Sequence, residues 1–181
     1  MTAIRLLILG IVIKEPIHGY EIRRQLENWN AEQWANVAYG SIYSALSKMT
    51  QEGLLQVAQT EQIGARPARV VYEITEIGRA EFDRLLHEHW LEYKPMINPF
   101  QVAITFMNHL SRDELLKALR QRTHFLKAQL SNVDFYTDAK LSDVDTPRHI
   151  RENIRLMAAY AEAELTWIRS VIEQVERGEL P

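Results

Sequence analysis

Apolar residues recur at helical spacing over most of the chain. Ile4, Leu7, Ile8, Ile11 and Val12 predict a short helix over residues 3–14, apolar on most sides and therefore buried. Pro16 and Gly19 break it. A second helix over residues 20–28 turns Ile22 and Leu26 inward and Glu21, Arg23, Arg24 and Glu27 outward. Residues 28–39 have a mixed pattern. A third helix over residues 41–52 buries Ile42, Leu46 and Met49 and stops at Gly53, a residue suited to a left-handed cap. The period then changes. Residues 54–59 and 68–74 are short, rich in Val and Tyr, and separated by a segment holding Gly64 and Pro67, which reads as a hairpin with a long tip. Thr75 and Gly78 open a fourth helix that carries Ile77, Phe82, Leu85, Leu86 and Trp90 inward. Three helices and a hairpin in this order predict a winged helix-turn-helix.

Beyond residue 93 the pattern is that of long helices. Residues 94–99 hold Pro95 and Pro99 and mark a boundary, giving domains 1–94 and 95–181. Ser111 with Glu114 three residues on is a capping box, so a helix starts there and runs to about residue 137 with Leu115, Leu119, Thr123, Leu126, Leu130 and Val133 on one face. Residues 137–146 are polar and acidic, a loop, and Pro147 suits the first turn of a last helix reaching residue 177. Ile150, Ile154, Met157, Ala161, Leu165, Ile168, Ile172 and Val175 form a heptad seam with one stutter. About 30 residues make a rod of roughly 45 Å. Such a rod pairs with another in the same chain or in a partner subunit. Met157, Ala161, Leu165, Ile168 and Ile172 are the expected dimerisation residues, helped by the first helix. The fold class expected is mainly α: a winged helix-turn-helix domain with one β-hairpin wing, followed by a helical dimerisation domain.

Composition narrows the function. The 181 residues include no cysteine, which removes disulfides, thiolate zinc sites, iron–sulfur clusters and a cysteine nucleophile. The longest apolar run, from Leu6 to Ile13, is far below the roughly 20 residues of a membrane helix. Lys14, Glu15 and Pro16 follow it where a signal cleavage site would need small residues, so a cytoplasmic protein with no membrane partner is expected. Residues 1–85 hold 9 Lys and Arg against 10 Asp and Glu, and residues 86–181 hold 12 against 14. Neither half is basic, so DNA contact requires a few locally placed cations rather than a global field.

The third helix supplies a face for the major groove. With Ile42, Leu46 and Met49 inward, Ser44, Ser47, Lys48 and Gln51 lie on another side, and Tyr39, Gly40 and Ser41 stand at the amino end, where free N–H groups favour phosphate. An ordinary amphipathic surface helix has the same pattern. The hairpin tip places Arg66 and Arg69 with no acidic residue between Gly64 and Arg69, suited to phosphate or a narrow minor groove, though a solvated loop reads alike. His87 and His89 stand two apart and point about 200° from one another on a helix, so they form no chelating pair. No metal or cofactor site is expected, and no phosphate-binding loop or nucleophile elbow supports an enzyme or a catalytic residue. Trp90, Tyr93, Phe100, Phe106, Tyr160 and Trp167, with polar groups such as His109 or Arg155, suit either a planar organic acid or core packing.

Four strings occur in one order. His18-Gly19-Tyr20-Glu21-Ile22, then Gly40-Ser41-Ile42-Tyr43 with Leu46 and Glu52-Gly53-Leu54, then Arg66-Pro67-Ala68-Arg69, then Tyr72-Glu73-Ile74-Thr75 with Gly78-Arg79, resemble the PadR family of bacterial transcriptional regulators. The resemblance covers residues 3–93; the remainder resembles the family's larger subgroup in length and helix pattern. It implies DNA binding by residues 1–94, dimerisation and effector binding by residues 95–181, and a dimeric repressor of a palindromic operator released by a small aromatic effector. It places Ser41, Tyr43 and Ser44 at the start of the recognition helix, Lys48 in its middle, and Arg66 and Arg69 on the wing. Tyr20 touches the DNA backbone or packs in the core, packing being favoured. Trp90, Tyr93, Phe100, His109, Tyr160 and Trp167 are the candidate effector residues. Departures occur at Tyr39 and Ser44, where members often have Pro, and at Val70, where a cation is common. The alternative reading is a winged-helix protein-interaction module with no DNA role, which has no need of two unpaired wing arginines.

Overall fold

The computed structural model describes residues 2–61, 69–95, 97–141 and 148–181, with side chains at 3–60, 69–95, 97–131 and 149–181. Gly64, Arg66, Pro67, Pro147 and residues 142–146 of the expected loop 137–146 lie outside the described residues, as does the side chain of Val133, while residues 137–141, expected in that loop, are helical. Two compact units divide the chain, Met1–Pro95 and Met96–Pro181.

In the first unit, α1 (Thr2–Val12) gives Ile8, Leu9, Ile11 and Val12 to the core. A two-residue strand β1 (Ile17–His18) follows where Pro16 and Gly19 suggest only a break. Next come α2 (Gly19–Asn28), α3 (Ala31–Ala35), a 3-10 turn over Tyr39–Ser41 and α4 (Ile42–Gln51). Asn30 and Asn36 flank α3 with φ of 50° and 52°, so left-handed backbone at each end confines it to a single turn. Ile22, Leu26, Ile42, Leu46 and Met49 are buried as their spacing requires. Strand β2 (Leu55–Glu61) pairs antiparallel with β3 (Arg69–Ile74), with a register shift between Val57 and Gln59. β1 adds to the other side of β3, Ile17 opposite Tyr72 and His18 opposite Val71. The expected hairpin is therefore part of a three-stranded sheet in the order β1-β3-β2.

Helix α5 (Glu76–Leu91) starts against the end of α4. Gly53, with φ of 74°, closes α4 in a Schellman arrangement, its N–H on Thr50 O and that of Leu54 on Met49 O. Thr75 caps α5: its hydroxyl accepts from Gly78 N at 3.0 Å and donates to Gly53 O at 2.6 Å. A Cβ on Gly78 would fall 2.1 Å from Leu54 O, so α5 meets this turn at backbone contact. Because Gly78 and Leu85 take the inner face, Ile77 and Trp90 point out. They are 64% and 82% exposed, contrary to the expectation that both face inward.

In the second unit, α6 (Phe100–Thr105) and a 3-10 turn (Met107–His109) precede α7 (Arg112–Leu141) and α8 (Arg148–Glu176). The capping box is present: the Glu114 carboxylate accepts from Ser111 N at 2.9 Å and from its hydroxyl, and Ser111 Oγ accepts from Glu114 N at 3.4 Å. Leu115, Leu116, Leu119 and Leu126 of α7 pack with Ala161, Leu165, Ile168, Val171 and Val175 of α8. Arg112 ties the helix ends together by donating to Val175 O and Glu176 O at 3.1 and 2.8 Å. The seam thus closes within one chain. Ala161, Leu165 and Ile168, expected at a dimer contact, are buried against the chain's own α7, while Met157 and Ile172 are half-buried.

Candidate nucleic-acid interface

Helix α4 presents a small, polar outer face. Its inner side is fixed by Ile42, Leu46 and Met49, which leaves Ser41, Tyr43, Ser44, Ser47 and Lys48 exposed. Ser41 does not cap the helix. Its hydroxyl donates to Ala38 O at 2.7 Å, and that of Ser44 donates to Ser41 O at 2.9 Å. With their protons committed to backbone carbonyls, both hydroxyls offer lone pairs outward as acceptors. Tyr39, expected at this surface, is half-buried against the core, and its hydroxyl lies 3.4 Å from Leu26 O, which accepts from it. It positions the turn that leads into α4.

A second group stands at the start of α2. An added Cβ on Gly19 would lie 3.1 Å from Tyr72 Cε2 and 3.6 Å from Tyr43 Cε1, so β3, α2 and α4 meet closely here and a larger residue would make the Tyr72 ring give way by a few tenths of an ångström. Burial pushes the Tyr72 hydroxyl pKa up, which keeps it neutral. Tyr20, the next residue, is 42% exposed and not a core aromatic. Its ring stacks on His18 with centroids 5.3 Å apart, and the Arg69 guanidinium lies 5.7 Å from the Tyr20 centroid. Sequence pattern assigns His18 no role; the stack makes it the platform for Tyr20, and its Nδ1 is buried without a hydrogen-bond partner. Arg69 is exposed at the root of the wing. Arg66 lies outside the described residues.

The candidate effector residues do not gather as a set. Phe100 and Trp167 meet edge to face at 5.9 Å. Arg122, missed by sequence reasoning, lays its guanidinium 3.6 Å from the Phe100 centroid and pairs with Glu164. Nothing in the local pattern signals Arg122, because its partners lie on other helices. His109 is exposed beside Phe106, and Tyr160 is 53% exposed. Trp90 and Tyr93 belong to the first unit and are 82% and 88% exposed. His87 and His89 each donate from Nδ1 to the carbonyl one turn back, those of Asp83 and Leu85, at 2.7 and 2.8 Å. Among the described residues, no helix is long and apolar enough to cross a membrane.

Comparison with known proteins gives the following. The model of the transcriptional regulator PadR-like family matches residues 8–84. The negative transcriptional regulator PadR of Bacillus subtilis (strain 168) is 26% identical over 133 residues, spanning 74% of this chain and 72% of that protein. In fold, the chain is similar to the crystal structure of Bacillus subtilis PadR in complex with operator DNA, with a TM-score of 0.78 at 20% identity over 97% of this chain and 98% of that one. It is equally similar to the complex of Bacillus subtilis PadR with p-coumaric acid, TM-score 0.78 at 19% identity over 96% and 99% of the two chains.

Proposed function

We propose that the chain, whose residues 8–84 match the model of the PadR-like family of transcriptional regulators, is a dimeric, sequence-specific DNA-binding repressor of that family, released by a small aromatic acid. The observation that carries this reading is the exposed polar face of Ser41, Tyr43, Ser44 and Lys48 on α4, with Tyr20 and Arg69 beside it. Outward-facing hydroxyl acceptors suit the amino groups of adenine and cytosine in the major groove, and Lys48 suits guanine or phosphate. Arg69, held over Tyr20, serves as a backbone cation, and Arg66, three residues before it in the sequence, is assigned the same part. The DNA complex of the Bacillus subtilis relative supports this class of partner. The action is binding alone, with no catalytic step, in the cytoplasm where the chromosome lies.

The pair of Phe100 and Trp167, with Arg122 beside them, is the effector site in this reading. Two rings at right angles suit a planar molecule, and the guanidinium, exchanging Glu164 for the ligand, donates to its carboxylate. The p-coumaric acid complex of the relative supports that ligand class. Dimer contact falls on apolar surface left outside the α7–α8 seam, where Phe125, Leu156 and Tyr160 are exposed, with Met157 and Ile172 at its edge.

A DNA titration of four variants tests the division of labour. Arg66→Ala combined with Arg69→Ala weakens binding to all sequences and flattens the salt slope by about one unit per lost phosphate contact. Ser44→Ala and Tyr43→Phe lower affinity for the operator and spare random DNA. Equal loss on both kinds of DNA for all four changes contradicts the assignment.

A further inference from the structure

We propose that Arg5 is a positioning residue for DNA reading, which holds α4 at the angle its base contacts require by pairing with Glu52 at that helix's end. The inference rests on the reading of α4 as the recognition helix. Arg5 reaches from α1 to two other elements: it pairs with Glu52, the residue after α4, and its guanidinium lies 3.9 Å from Glu81 of α5. Glu81 in turn accepts from Arg84 at 2.7 and 3.0 Å, and Arg84 donates to Glu88 at 2.7 Å. A chain of alternating charges therefore runs Glu52, Arg5, Glu81, Arg84, Glu88 from the end of α4 along α5. The Arg5, Glu52 and Glu81 side chains are only 23%, 33% and 19% exposed, so salt screens them less than it screens open surface pairs.

Packing fixes the inner side of α4 and leaves its polar rim open toward α1. Between α1 and α4 runs an open groove of about 320 Å³ bordered by Ile4, Arg5, Ser41, Ser44, Ala45, Lys48 and Met49. The inner side of α4 is packed by Ile42, Leu46 and Met49. Beneath the groove Ile4, Ala45 and Met49 pack against the core, but its rim at Ser41, Ser44 and Lys48 is open, so a roll of α4 toward α1 is opposed by fewer contacts at that rim than on the inner side. Two tethers oppose it: the Gly53–Thr75 junction, which holds the backbone, and the Arg5–Glu52 pair, which spans the groove's end. Ser44 and Lys48 border the same groove, so a small roll of α4 moves the base-reading atoms directly. Arg69 and Tyr20 sit on other elements and keep their phosphate contacts.

Fluorescence anisotropy on full-length protein separates the outcomes, with duplex fragments of its own upstream region and a random duplex as probes. Arg5→Gln and Glu52→Gln each lower operator affinity by about tenfold, within the span that mutations along a coupled network produce. They leave random-duplex affinity and the salt slope unchanged, and the double variant loses no more than either single one. Arg5→Lys, which keeps one ion pair, recovers part of the loss. The inference is overturned if Arg5→Gln weakens both duplexes equally with a salt slope flatter by about one, since Arg5 is then itself a phosphate contact. It is overturned equally if the two single losses add, or if neither changes anything. Wild-type protein with no preference for any upstream fragment sinks the DNA reading as well, which keeps the two failures distinct. Far-UV dichroism melts of each variant identify loss of fold, in which case Arg5→Lys carries the comparison.

Discussion

Two glycines on either side of α4 make opposite predictions at the residue scale. Gly78 has no room for a methyl group, because a Cβ there would stand 2.1 Å from the backbone oxygen of Leu54 and 2.8 Å from Ile74 Cγ1. Gly78→Ala forces α5 away from the turn and costs about 1–3 kcal/mol, read as a drop in the denaturant midpoint. Gly40 has nothing within 4 Å of its Cβ position and no left-handed φ. Gly40→Ala keeps stability or raises it by about 0.4–1 kcal/mol in the same assay. A loss of operator affinity in that variant would report close approach of DNA to the turn before α4. Period arithmetic made the buried side of α4 legible, and with it the exposed Ser41, Tyr43, Ser44 and Lys48. It misassigned Ile77 and Trp90, because it could not see that Gly78 touches Leu54 and so sets the rotation of α5. It missed Arg5 and Arg122 altogether, since their partners lie 47 and 42 residues away and nothing local marks such a pair.

At the scale of elements, charge tunes helices whose boundaries the sequence largely revealed. Arg84 hydrogen bonds hold the Glu81 carboxyl below its ordinary pKa against the opposing effect of burial, with the charges of Arg84 and Arg5 adding to them. A carboxylate depressed in the folded state contributes its stability in full above the unfolded pKa and loses it as pH falls through the folded one. The melting temperature therefore drops as pH is lowered from the ordinary carboxylate range downward, and Glu81→Gln flattens that part of the profile. The α7–α8 pair makes its own prediction. Leu165→Ala or Ile168→Ala opens a cavity in the seam and costs about 2–5 kcal/mol in chemical denaturation. Arg112→Ala, which leaves two carbonyls at the end of α8 without their donor, costs about 1 kcal/mol. Capping chemistry announced α7, and the heptad spacing announced α8. The short α3 and α6, of five and six residues, escaped, and so did two further features. β1 has only two residues, too few for a period of two to register, and the heptad spacing could not say whether its partner was in the same chain.

For the whole molecule the account requires two recognition helices acting together. A dimer that reads a palindrome presents them about 34–36 Å apart, or a multiple of that distance, to reach successive major grooves on one face of the duplex. Light scattering at micromolar concentration is expected to give a dimer, and a monomer would contradict the assembly. In the proposed reading, an aromatic acid held by Phe100, Trp167 and Arg122 releases DNA only by its preference for one form of the dimer; a tenfold release corresponds to about 1.4 kcal/mol. Reciprocity then requires saturating operator to weaken the acid by the same factor, and tryptophan fluorescence titrations check it. The central claim, sequence-specific binding of double-stranded DNA, is tested most directly by an equilibrium titration of the full-length protein against duplexes tiling its own upstream region, in the presence of excess random DNA. The account predicts one fragment bound at least about a thousandfold more tightly than random duplex, the lower end of the range for specific regulators. Equal, salt-sensitive affinity for every fragment, or none at all, would contradict it.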